Sequence, residues 1–359
     1  MLLIFLYSSL AIIFTAPYAI FVNSHNKSNM YSYSKSIIFG IIVISFIAIS
    51  INFFFPLNIY VCTIIPLISI ILIFKYKTKF FNLNFLKFII IQSFFLTILL
   101  IESNVYRPDA GLYHLPYMGI LNSEKIIFGI SNLHTRYSLT SIQQYFSAIN
   151  NNLIFQNNGI VFAQALIGSS VIINFLSQIN NYIKKKKLNF HFFYLFFVII
   201  FISYKMNRYG EYGNDAPAHF LVFFLVSELL LIKNFNLKDY GNNLILSLFI
   251  VQSKLTLIFV VLFNLININK IKLGALILDK RFIFTTLFFS IWLTKNVISS
   301  GCLLYPIKLT CFNELSWTKI ETVNKVSVSA ESWTKGWSNK DKEFEITQKN
   351  FIKNFEWVG

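Results

Sequence analysis

Apolar runs long enough to cross a bilayer recur along this chain from Met1 to about residue 300, and they restrict its fold more than any other feature. About 20 apolar residues at about 1.5 Å per residue span the roughly 30 Å hydrocarbon layer. Such segments occupy about 1–22, 36–55, 58–75, 86–101, 159–180, 190–206, 218–233, 244–266 and 282–300. With 55% apolar and 13% charged side chains, the 359 residues carry too little polar surface to cover a water-soluble globule. The expected fold class is an all-α polytopic membrane protein.

The net charge of +16 would suggest nucleic acid in a soluble chain, but the lysines cluster between apolar spans, as at Lys184 to Lys187. Basic loops against anionic lipid account for the charge, and no nucleic-acid partner is expected. Three cysteines exclude a disulfide-rich scaffold and match no zinc module; Cys62 sits in an apolar run. No basic residue precedes the first apolar stretch, so a first helix is expected rather than a removable signal peptide.

Short basic connections face the cytoplasm. The loops with Lys75, Lys77 and Lys79 and with Lys184 to Lys187 then place residues 102–158, and the short loop 207–217, outside. The connection with Lys270, Lys272, Lys280 and Arg281 should also be inside, which one ordinary span at 244–266 forbids. Lys254 lies near the centre of that span, where a charge facing lipid costs several kcal/mol. Two half-helices of about 10 residues, about 15 Å each, meeting near Lys254 resolve both difficulties.

Asp109 follows a span by a few residues, at headgroup depth, with Arg107 and His114 beside it. Leu139, Ile142, Phe146 and Ile149 recur at helical spacing and predict an amphipathic helix on the membrane surface. In the second outer loop, Glu211 and Asp215 form a carboxylate pair suited to a divalent cation or to orienting His219, although turn chemistry explains the same residues. The pattern names no certain cofactor; a divalent cation is compatible with it. Lys295, near a span end, is expected to reach the interface.

The run Asp109-Ala-Gly-Leu-Tyr113-His114-Leu-Pro116, then Lys254, then Asn296, Gly301, Tyr305 and Pro306, resembles in order the membrane glycosyltransferases of the GT-C class. The resemblance covers roughly residues 86–310, and the chain departs from it in three additional spans ahead of the acidic loop. It implies a GT-C-like helical bundle with an extracytoplasmic loop bearing amphipathic helices. The divisions are N-terminal helices at 1–85, a core at 86–300 containing the loop 102–158, and a Trp-rich segment at 301–359, which ends as a piece of a longer protein would.

The resemblance further implies inverting transfer from a polyprenyl-phosphate-linked sugar to a glycan, lipid or protein acceptor, in a bacterial inner membrane, with the site facing out. Asp109 is the candidate general base, against a structural pairing with Arg107. Arg107, Tyr113, His114, His134, Arg136, Glu211, Asp215, His219, Lys254 and Tyr305 are candidate substrate contacts. A transporter or flippase, with Lys254 at a midplane site, and a non-catalytic envelope-assembly subunit are the alternatives. Cys302 and Cys311 are spaced for a disulfide, with two free thiols the competing state. Trp317, Trp333, Trp337 and Trp357 suit interfacial anchoring or stacking on sugar rings.

Overall fold

The computed structural model describes residues 1–22, 29–102, 109–139, 141–205, 212–213, 215–232, 236–266, 268, 271–337 and 344–358. Among them the regular elements are all helical. In chain order these are α1 (Leu2–Thr15), α2 (Met30–Asn52), α3 (Ile59–Lys75), α4 (Lys77–Phe80), α5 (Leu83–Ile101), α6 (Leu115–Ser123), α7 (Gln143–Ile149), α8 (Phe162–Lys184), α9 (Phe190–Lys205), α10 (Asp215–Leu231), α11 (Leu237–Ser253), α12 (Leu273–Ile277), α13 (Lys280–Ser300), α14 (Ile320–Thr334) and α15 (Phe344–Lys353). Among the described residues, five helical stretches are long and apolar enough to cross a membrane: Leu2–Phe21, Met30–Asn52, Leu83–Ile101, Gln156–Lys184 and Lys280–Ser300. The other expected spans form shorter helices, such as the apolar Ile59–Lys75 and Phe190–Lys205.

Asparagine starts several of these helices. Asn29, Asn58, Asn82 and Asn236 each sit at an N-cap with extended backbone. Their side-chain oxygens accept from Ser32, from Tyr60 and Val61, from Phe85 and from Asp239. Each such cap contributes about 1 kcal/mol and uses donors a helix start leaves open.

The chain divides into two compact units, residues 1–125 with 141–289, and residues 126–140 with 290–359. In the first unit α1 packs on α5, and α2 packs on α8 and on the 3-10 turn Ala16–Phe21. The N-terminal helices at 1–85 are therefore part of the same packed body as α8 and α10. Gly40 permits one close approach: a Cβ there would fall 2.1 Å from the Thr15 carbonyl oxygen. Buried polar groups bridge helices, with Gln92 Nε2 donating to Ser170 Oγ at 2.7 Å and Ser69 Oγ to the Phe14 carbonyl at 2.6 Å.

The surface helix expected from Leu139, Ile142, Phe146 and Ile149 is not what forms. All seven residues of α7 are buried, the polar Gln143, Gln144 and Ser147 included, and α7 packs on α2, α6 and α8. Leu139 falls in the other unit, in a partly buried stretch beyond the 3-10 turn Thr135–Ser138. The apolar spacing was real, but its polar side also faces protein.

At Lys254 the helix breaks as expected, with the residue itself extended at φ −151° and ψ 106°. The chain then returns as an 11-residue 3-10 segment, Leu255–Leu265, packed on α11. Asn264 Nδ2 donates to Ser247 Oγ across the hairpin at 2.6 Å. The first arm is longer than anticipated, because α11 starts at Leu237 rather than near residue 244 and has 17 residues.

In the second unit Cys302 and Cys311 form a disulfide over a small core with Tyr305 and Val323. The Asn296–Pro306 motif is a built turn. Asn296 Nδ2 donates to the Leu303 carbonyl at 3.0 Å, Gly301 has φ +79°, and Tyr305–Pro306 is cis. Trp317 belongs to the same construction, its indole donating to the Val297 carbonyl at 3.0 Å. Lys295, expected at a span end, is buried within the protein at 1% exposure.

A Lys272→Cys and an Asn236→Cys variant, in a background lacking other free thiols, should both label from the same side of the membrane. Labelling from opposite sides would mean that the chain crosses rather than turns at Lys254. Gly301→Ala adds a methyl group that would lie 1.7 Å from Thr318 Oγ1, on a backbone that disfavours any Cβ. It should cost at least about 1–2 kcal/mol, read as a lower melting temperature.

Candidate functional site

Within the first unit several of the expected residues converge. A π turn at Ala110–His114 leads into α6, closed by Leu115 N–H donating to the Ala110 carbonyl. Such turns often mark functional positions in helices. Asp109 precedes this turn and is exposed; among the described residues nothing pairs with its carboxylate. His114, five residues on, is buried at 7% exposure, with the half-buried Tyr113 ring 4.3 Å from its own.

The His114 ring is held in one tautomer. Gln144 Oε1 accepts from the Ser141 backbone N–H at 3.2 Å, which turns its amide nitrogen toward His114 Nδ1 at 2.9 Å. Nδ1 must therefore accept, and a neutral ring carries its proton on Nε2. That nitrogen lies near Gly213, where an added Cβ would stand 3.8 Å away. The Gly213 carbonyl in turn accepts from Gln164 Nε2 on α8.

Two residues beyond Gly213, Asp215 opens α10 and binds Lys254 Nζ through Oδ1 at 2.7 Å. A carboxylate in a first helical turn also faces the positive end of the helix dipole. Lys254 is therefore not the isolated ammonium anticipated; its charge is balanced by a carboxylate whose side chain is 78% exposed. The circuit closes through backbone, since Ile142 N–H donates to the Gln252 carbonyl at 3.1 Å, two residues before Lys254.

Around this ring sit amides that the sequence reading passed over. Gln143 lacks a partner at both amide atoms, and Gln164 and Gln252 at Oε1, although all three are buried. Each unpaired buried polar atom costs about 1–3 kcal/mol, which a hydrogen bond from water or a polar ligand would offset. The legible signal was a run of adjacent amides, Ser141-Ile142-Gln143-Gln144, in an otherwise apolar period, and Gln252 beside the span-breaking lysine.

The remaining candidates fall elsewhere. His219 Nδ1 donates to the Asp215 carbonyl at 2.6 Å, so it is tied to its own helix backbone and not oriented by a carboxylate. Arg107 and Glu211 lie outside the described residues. Among the described residues no group of three or more His, Cys, Asp and Glu side chains could hold a metal ion.

His134, Arg136 and Tyr305 belong to the second unit. His134 caps the 3-10 turn Thr135–Ser138, its Nδ1 accepting from the Arg136 N–H at 3.2 Å. Tyr305 is a core residue at 4% exposure, and burial pushes its phenol up to about 12 against a smaller downward pull from Arg136. Its ring packs in the disulfide core, and its buried hydroxyl has no hydrogen-bond partner among the described residues.

Neither a curated protein nor a solved structure matches the chain. A family model described as Domain of unknown function (DUF8201) matches residues 1–357, and the chain belongs to that family.

Proposed function

We propose that the chain is an integral-membrane sugar transferase of the GT-C type, using a polyprenyl-phosphate-linked donor and a hydroxyl acceptor outside the cytoplasm. The observation that carries this reading is the Lys254–Asp215 pair at a helix break, two residues along the chain from Gly213, which lies beside the buried His114 ring. The exposed Asp109 carboxylate stands five residues before His114, about 7 Å along a helix axis. Cations and N–H donors beside a carboxylate suit a reaction that releases a phosphate and removes a hydroxyl proton.

In this reading Lys254 and the Nε2–H of His114 receive the negative charge that develops on the carrier phosphate. The acceptor oxygen bonds to the anomeric carbon as that carbon's bond to the phosphate oxygen breaks. The electron pair leaves with the phosphate, the hydroxyl proton passes to Asp109, and the configuration inverts. Asp215 positions Lys254 while the site is empty, and an exposed pair of this kind contributes about 1 kcal/mol or less, so a phosphate can displace it.

A broken helix carrying a charge also favours a second reading, a transporter or flippase with Lys254 at its substrate site. The two differ in whether a new glycosidic bond forms. Purified protein supplied with a labelled polyprenyl-phosphate sugar and a membrane extract should transfer label, and Asp109→Asn should lower the rate by about 10²–10⁴-fold while folding normally. Turnover in that variant within about threefold of the parent removes Asp109 as the base. Movement of labelled carrier across vesicles without bond formation, lost in Lys254→Ala and retained in Asp109→Asn, establishes the transporter instead.

A further inference from the structure

The first unit has a second polar end, away from Asp109. α10 runs from Asp215, which binds Lys254, to Glu228, which binds Lys35, about 20 Å along the axis. Beside Glu228, Ser227 Oγ meets the His191 ring at 3.0 Å, and that ring meets the Tyr182 hydroxyl at 2.9 Å, which fixes the corner between α8 and α9 at this end. The Tyr33 hydroxyl on α2, near Lys35, donates to the Lys79 carbonyl at 3.2 Å and fixes the corner between α3 and α5 there too.

Both corners are basic and exposed. Lys184, Lys185, Lys186 and Lys187 all lie open at the end of α8. Lys186 takes the left-handed backbone, φ +51°, where glycine is usual, and the Lys187 N–H donates back to the Tyr182 carbonyl at 3.0 Å, so four ammonium groups share one tight turn. At the other corner Lys75, Lys77 and Lys87 are exposed, with Lys75 over the Tyr76 ring at 5.7 Å.

The carboxylates at this end are already engaged. Glu228 binds Lys35, Asp279 binds Arg281 at 2.9 Å, and Asp239 faces Lys35 and Lys238. None of the exposed lysines at the two corners forms an ion pair among the described residues. The stretches 23–28, 233–235, 267 and 269–270, outside the described residues, contain no Asp or Glu. The counter-charge must therefore come from another molecule.

Apolar side chains decide which kind. Ile183, Leu188 and Phe190 are exposed next in sequence to the four lysines, and Phe81, Leu83 and Leu86 are exposed in the chain between Lys77 and Lys87. A soluble polyanion would cover the ammonium groups and leave these side chains in water, whereas a lipid offers phosphate and hydrocarbon together.

We infer that this end of the first unit binds the phosphate groups of anionic phospholipids, with the lysines of the two corners on headgroup oxygens and the neighbouring apolar side chains against the acyl region. No step of sugar transfer enters the inference, so it and the transferase reading can fail separately.

The test uses the full chain in detergent with fluorescent phosphatidylglycerol, and with phosphatidylcholine as the neutral control. Phosphatidylglycerol should bind about 10-fold or more tightly than phosphatidylcholine, and the preference should shrink as salt screens the lysines. The combination of Lys184→Gln, Lys185→Gln, Lys186→Gln and Lys187→Gln should weaken phosphatidylglycerol binding by about 10-fold or more, whereas Lys→Arg at the same four positions should retain it. Lys125→Gln, at an exposed position after α6 and at the other end of the unit, should change nothing.

The lipid preference and its salt dependence are read on the parent chain and decide the matter even if the glutamine variant fails to fold. Equal binding of the two lipids, a preference that salt does not move, or a folded glutamine variant that binds phosphatidylglycerol like the parent overturns the inference. Displacement of phosphatidylglycerol by inorganic phosphate at equal concentration overturns it as well, and assigns the lysines to a soluble anion.

Discussion

A chain that leaves its helix away from water must find backbone hydrogen-bond partners within the protein. The break at Lys254 shows how this one does it. Lys254 N–H still donates to the Ile250 carbonyl, Leu257 N–H donates to the Lys254 carbonyl, and the Gln252 carbonyl accepts from Ile142 N–H. The segment entering α7 is therefore docked on the broken helix. That docking sets Gln144 against His114 and leaves Lys254 to meet Asp215. The polar ring depends on the break.

Two polar clusters in the first unit differ in how completely their charges are buried and paired. Lys35 on α2 binds Glu228 on α10, and Tyr31 donates to the other Glu228 oxygen at 2.8 Å. Nearby, His191 spans Ser227 Oγ at 3.0 Å and the Tyr182 hydroxyl at 2.9 Å. With the charged side chains 9% and 10% exposed and their partners in place, removing one partner of the pair would cost about 3–5 kcal/mol. The ring around His114 has a more open ion pair, the Asp215 side chain being 78% exposed, and open amide atoms on Gln143, Gln164 and Gln252, as other buried amides such as Gln92 and Gln178 also have.

The second unit is organised by backbone chemistry. Gly301 supplies the left-handed conformation, Asn296 holds the turn, and the disulfide ties its ends. Tyr305 fills the core beneath it. The motif that resembles a transferase signature thus builds a turn and part of a small core.

The apolar runs determined helices at every place they predicted one, because a segment of that composition has no other way to satisfy its backbone out of water. The charge of Lys254, placed mid-run between basic flanks, was enough to require a break there. Periodicity could not say what would cover the polar side of α7, since Ile142, Phe146 and Ile149 read the same whether lipid or protein surrounds them. Likewise the partner of Lys254 and the tautomer of His114 arise between residues 30 or more positions apart. Local spacing encodes which face of a helix is apolar. Only the packing of distant segments decides which donors and acceptors are satisfied and which are left for a ligand.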